Sequence, residues 1–165
     1  MKTEFDITLT EKDMYRFSMH HAYTSSQGIL SILIAAVCFV LAFYARGSME
    51  PMYTFLYAGF GALFCVYLPF QLYLRSRQQI LKSEVLKNAL HYAIDEMGVH
   101  TSQNGASADL LWEQVYKIVA TRHNVLIYSS RVNAFVIPRS QIGAEYKTIQ
   151  KIAASNLPPY RFKMK

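Results

Sequence analysis

Five histidines, His20, His21, His91, His100 and His123, are the residues whose type most invites chemistry, since imidazole serves as metal ligand and general base. Their spacing argues against both roles. No two stand four apart on a helix, none is coupled to a cysteine, and the adjacent His20 and His21 point in different directions on a helix. Asp95 and Glu96 are neighbours, and on a strand they would face opposite sides, which suits a turn better than a shared proton or metal. Asp109 and Glu113 flank Leu110, Leu111 and Trp112 and are the pair that an enzyme would have to use as acid or ligand. The chain has no phosphate loop, nucleophile elbow or dinucleotide fingerprint, and its "GFGALF" lies in an apolar run where glycine favours close helix packing. The expectation is a non-catalytic protein with no cofactor and no metal.

The elements that carry these residues are unusual in composition. Of the 165 residues 52% are hydrophobic, and the excess is concentrated. No charged residue occurs between Ala22 and Ala45 or between Pro51 and Leu74. At ~1.5 Å per residue each run is long enough to cross a ~30 Å hydrocarbon layer, and neither keeps the polar stripe of a buried soluble helix. The first run starts too late for a signal peptide and is followed by a second span. Between them, "RGSME" carries Gly47, suited to end a helix in the left-handed conformation, and Pro51, tolerated in a first turn, so the runs are expected to form a tight antiparallel hairpin. Cys38 and Cys65 fall at different depths, ~12 Å and ~21 Å from the loop at helical rise, too unequal for a disulfide. Pro69 removes one backbone hydrogen bond within the second run. Neither run contains an ionisable side chain, which speaks against an ion pathway.

Small residues four apart, Ser31 and Ala35 in the first run and Ala58 and Ala62 in the second, mark the expected seam between the helices. Arg75, Arg77, Lys82 and Lys87 follow the second run, while the connection holds only Arg46, offset by Glu50. That bias predicts both termini in the cytoplasm, with the four cations beside the anionic inner leaflet of the bilayer. From Arg75 onward 13 Lys and Arg face 6 Asp and Glu, but they are dispersed and match no nucleic-acid motif, so no nucleic-acid partner is expected.

The remaining segments read as an α+β domain. Phe5, Ile7 and Leu9 alternate with polar residues as in a half-buried strand, which needs a sheet that only the downstream chain can supply. Thr10 and Asp13 form a capping-box pattern for a helix carrying Met14, Phe17 and His21. Beyond Leu74 the helix is expected to continue through Asn88. Short strands follow, punctuated at Gly98, Asn104-Gly105, residues 122–124 and residues 129–133, and a helix with Tyr146, Ile149, Ile152 and Ala153 on one face closes the domain. The expected division is 1–21, strand and amphipathic helix; 22–74, a transmembrane hairpin with spans near 28–45 and 51–74; 75–87, a basic helix; and 88–165, a small cytoplasmic antiparallel-sheet domain of pleckstrin-homology-like arrangement with a C-terminal helix.

The order "ITLTEKD", "RFSMHH", two adjacent spans, then "YAIDEMGVHT", "WEQVYKIVATRHNVLIY" and "FVIPRSQI" resembles the YcxB-like family of small bacterial membrane proteins. The landmarks are Trp112, the run from Val115 to Val119, Tyr128 and Ile137-Pro138. The resemblance implies a bacterial cell-membrane protein and brings no catalytic residues with it. Trp112, the sole tryptophan, reads first as a core residue; as an exposed aromatic it would join Arg139 in a partner surface. Two functions follow. One is a membrane-anchored binding or scaffolding module with a protein partner or a second copy of itself. The other is a protective or regulatory membrane protein, a toxin immunity factor or a transporter accessory subunit, acting through its hairpin.

Overall fold

A computed structural model describes residues 1–47 and 49–164; Ser48, in the expected connection between the apolar runs, lies outside the described residues, as does Lys165. The chain forms two compact units, one of Met1–Phe17 with Arg77–Lys165 and one of Ser18–Ser76. It is an α+β protein with two long apolar helices and two largely antiparallel sheets.

In the first unit, β1 (Thr3–Ile7) precedes the apolar runs in sequence yet pairs antiparallel with β2 (Leu90–Ile94), from Thr3 opposite Ile94 to Ile7 opposite Leu90. The sheet continues through β3 (Gly98–Gln103) to β4 (Ala106–Leu111). The turn joining β3 to β4 places Asn104 and Gly105 at φ 49° and 82°, as the sequence leads one to expect of an Asn-Gly hairpin. The other sheet orders β7 (Ala134–Pro138), β6 (Asn124–Tyr128), β5 (Lys117–Ala120) and β8 (Phe162–Lys163), the last pair parallel. All five residues of β6 are buried, consistent with the apolar run of residues 125–128 that follows Asn124 in a central strand. Inward-facing Ile7, Tyr92, Ile94 and Val99 meet Ile118, Val125 and Ile137 in one core, closed by Ile149, Ile152 and Ala153 of α6 (Glu145–Asn156).

Helix α1 (Glu11–Thr24) begins with the expected capping box. The amide of Asp13 donates to Thr10 Oγ1 at 3.2 Å and the amide of Thr10 to Asp13 Oδ2 at 3.2 Å. Three short elements have too little periodicity to be read from sequence: β8, a 3₁₀ turn at Trp112–Gln114, and α5 (Arg139–Ile142).

In the second unit, α2 (Ser26–Ala45) starts at Ser25, whose hydroxyl accepts from the Gly28 amide at 3.2 Å. Gly47, at φ +89°, stands just past its end, and α3 (Pro51–Lys82) starts at Pro51 and runs unbroken through Pro69. The expectation of one helix to Asn88 is corrected. Ser83 interrupts it, and its hydroxyl accepts from the Leu86 amide at 3.4 Å to start α4 (Glu84–Lys87), the competition a short hydroxyl side chain offers to a helix. Gln103 then donates to the carbonyls of Val85, Asn88 and Ala89, groups that a helix end leaves unpaired. Both helices are long and apolar enough to cross a membrane, and bulky side chains such as Leu33, Val40, Phe43, Phe55 and Val66 stand exposed along them.

Candidate functional site

The polar side chains of the first sheet gather at its outer face. β3 and β4 place His100 opposite Asp109, and the turn after β2 brings Asp95 to the other ring nitrogen. Nδ1 lies 2.7 Å from Asp109 Oδ1, and Nε2 lies 3.3 Å from Asp95 Oδ1. Asp95 also accepts from the amides of Met97 at 2.8 Å and Gly98 at 3.2 Å, the turn role its position suggested. On the neighbouring strand pair, Asp6 lies 2.7 Å from Nδ1 of His91. With both nitrogens facing carboxylates, the charged His100 is favoured, and no lone pair is left for a metal or for base catalysis. Among the described residues no group of three or more His, Cys, Asp or Glu is placed to hold a metal ion.

The hydrogen bond to Asp109 raises the His100 proton affinity above that of an ordinary histidine; burial opposes it and Asp95 assists. Burial also pushes Asp95 upward, but the amides of Met97 and Gly98, with His100, outweigh it and leave the carboxyl below its usual range. The signs set a window. Stabilisation from the raised His100 is complete below about pH 6.5 and fades as pH rises through its folded value, whereas that from Asp95 is present above about pH 4 and fades on acidification. These groups are partly exposed, so the clamp contributes at most ~1 kcal/mol. We expect the stability gap between the native chain and His100→Asn, read from thermal melts, to be largest between about pH 4 and 6.5 and to shrink by about pH 8. A gap independent of pH would remove the clamp.

Trp112 takes the core place of its first reading and the exposed alternative is corrected: it is 5% exposed, and its indole Nε1 donates to the carbonyl of Asp95 at 2.8 Å. A large apolar ring whose one donor is satisfied internally has no cause to face water. Arg139 is half-buried and fastened, its guanidinium donating to Thr121 O at 3.1 Å and lying 4.2 Å from the Tyr146 ring centroid. What lies open beside Trp112 is a cleft of about 520 Å³, lined by Glu96, Met97, Leu111, Glu113, Asn156 and Arg161 among others. Arg161 donates to the carbonyls of Glu113 and Val115 and keeps its charge, while Glu96 pairs with the Met1 ammonium at 2.6 Å, so the rim carries both signs.

In the helix pair, Ser31 and Ala35 line a cavity of about 260 Å³ with Phe39, Phe64, Cys65 and Leu68. The second half of the expected seam is corrected. Ala62 is exposed and Ala58 does not line this cavity; instead Gly61 faces the Phe39 ring, where a β-carbon would come to 3.0 Å. A four-residue spacing selects a face but cannot choose between adjacent small residues. Cys38 and Cys65 are free thiols. Arg75, Arg77, Lys82 and Lys87 are all exposed, but Lys87 sits on α4, and Arg77 Nε lies 3.8 Å from Glu11 Oε1.

One cluster escaped the sequence altogether. The turn from Thr121 to Asn124 closes on itself, with Thr121 N donating to Asn124 O at 2.8 Å and Asn124 N to Thr121 Oγ1 at 2.9 Å. Asn124 is buried, and its Nδ2 donates to the carbonyl of Asp13 at 3.2 Å, which fixes the turn on the first turn of α1. Residues 111 positions apart thereby bring Lys12 and Arg16 beside Arg122 and His123. The matching Thr-x-x-Asp and Thr-x-x-Asn patterns were visible, but nothing local says that they meet.

The family model for YcxB-like protein matches residues 94–153, which run from the end of β2 through most of α6. No curated protein and no solved structure matches the chain.

Proposed function

We propose that the chain is a membrane-anchored, non-catalytic binding module of the bacterial cell membrane, in which α2 and α3 span the bilayer and a pleckstrin-homology-like head stays in the cytoplasm to recruit a protein partner. The observation that carries this reading is the pairing of β1 with β2. The strands before and after the two apolar helices belong to one sheet, which fits an even number of crossings and both termini on one side. Two four-stranded sheets, seven of whose strands precede the C-terminal helix α6, support the pleckstrin-like description of the head. Apolar side chains exposed on the two helices support lipid as their cover, and the cations after α3 support the cytoplasmic orientation. The resemblance to the YcxB-like family supports the bacterial cell membrane as its location.

The cleft beside Trp112, with Met97 and Leu111 exposed within a rim of mixed charge, suits a partner segment carrying apolar side chains. The cavity lined by Ser31, Ala35 and Phe64 favours the second reading, an immunity factor or transporter accessory subunit whose hairpin makes the contact.

Pull-down from nanodiscs separates the two. We expect a partner to be retained when α2 and α3 are replaced by an unrelated two-span hairpin, and to be lost with Leu111→Glu combined with Glu113→Lys. The reverse pattern would favour the hairpin as the contact. Termini that proteases reach from outside intact cells would end the topology.

A further inference from the structure

We propose that Lys12, Arg16, Arg122 and His123 form a second docking surface, built by the turn between β5 and β6 and the start of α1, for the anionic phospholipid head groups of the bilayer. The inference rests on the reading that α2 and α3 lie in a membrane.

The surface is built from both sides. Asn124 ties the turn to Asp13 in α1, and Arg139 ties it to α5 through its amide on His123 O at 2.8 Å and its guanidinium on Thr121 O. Arg122 and His123 are left exposed at the tip, with Lys12 exposed beside them. Among the described residues no ion pair reaches Lys12 or Arg122, although Asp13 partly offsets Arg16. Asp13 is buried, accepts from Thr10 Oγ1 at 2.6 Å and pairs with Arg16 at 3.7 Å; Glu11 lies against Arg77. The His123 imidazole reports the resulting field: loss of hydration, then the charges of Arg16, Arg122 and Lys12, lower its proton affinity against the pull of Asp13. Such a cluster is relieved by an anion.

The chain itself favours lipid as that anion. Arg16 lies ten residues before Ser26, the first residue of α2, so only a short length of chain tethers the cluster to the apolar run. At that reach a surface of anionic lipid contributes ~1 kcal/mol per cation, screened over about one Debye length. A free phosphate offers the same oxygens without the high local density of charge.

The test uses the full chain in nanodiscs of phosphatidylcholine, alone or with phosphatidylglycerol, each doped with a head-group nitroxide lipid, and reads broadening of the His123 imidazole resonances. Broadening should appear in the anionic discs, collapse at high salt and be nearly absent in phosphatidylcholine alone. Lys12→Gln with Arg122→Gln, both exposed and outside the core, should lower the docking equilibrium constant roughly 30-fold at ~1 kcal/mol per charge. Protein that enters the discs but shows equal broadening with and without phosphatidylglycerol, or none in either, overturns the docking surface and leaves the anchor standing. A chain that never enters the discs overturns both. A His123 response to inorganic phosphate or to a short oligonucleotide, without any to anionic lipid, also overturns it and assigns the cluster to a soluble anion.

Discussion

Gly98→Ala is expected to destabilise the sheet-bearing unit by about 3 kcal/mol or more, the upper range of overpacking costs in a filled interior. A β-carbon at Gly98 would lie 2.3 Å from the carbonyl oxygen of Leu110 and 2.9 Å from the Cα of Leu111. Both are backbone atoms of the paired strand, so no side-chain rotation relieves the clash. β3 and β4 would have to separate where Gly98 faces Leu111 in the register, beside the Asp95 turn. Thermal or denaturant melts of the detergent-solubilised chain check this. An unchanged midpoint would mean that the strands do not approach so closely.

Trp112→Ala is the second large effect, at ~3–5 kcal/mol for an aromatic removed from a core. Trp112→Phe should cost less, chiefly the hydrogen bond to Asp95 O, at ~1–2 kcal/mol. The graded series separates a structural residue from a contact residue. A structural tryptophan loses stability in the order Phe then Ala, with partner recovery following the folded fraction. If Trp112→Ala left the melt unchanged and abolished partner recovery, the buried placement would be wrong. Protease protection of the folded head, measured beside partner recovery, keeps the two readouts apart.

Strong local signals made much of this architecture legible. Thr10 and Asp13 announce α1, Asn104-Gly105 announces the hairpin, and two uncharged runs divided at Gly47 and Pro51 announce α2 and α3. Each is a short-range rule with few competing outcomes. Where a choice was long-range, the residues were silent. Trp112 reads first as a core residue, but the carbonyl that satisfies its ring, on Asp95 17 positions away, is not legible from the residue alone. Gly61 and Ala62 are both small, and only the position of Phe39 decides which one faces it. Asn124 meeting Asp13 is a tertiary event with no periodicity, so the cluster of Lys12, Arg16, Arg122 and His123 could not be assembled from a linear reading. Ser83 shows the opposite case: the cap was local, but a helix pattern without Gly or Pro masked it.

The first strand is synthesised long before its neighbour. During translation β1 must therefore wait, unpaired, until both greasy helices have been delivered and β2 has followed them. Once the two strands zip together the chain is clasped, because turning the helix pair over would mean tearing a finished sheet apart. If α2 and α3 cross a bilayer as proposed, an orientation chosen by a few cations during insertion would in this way be made permanent by folding, and a chain inserted upside down would assemble its whole head in the wrong compartment.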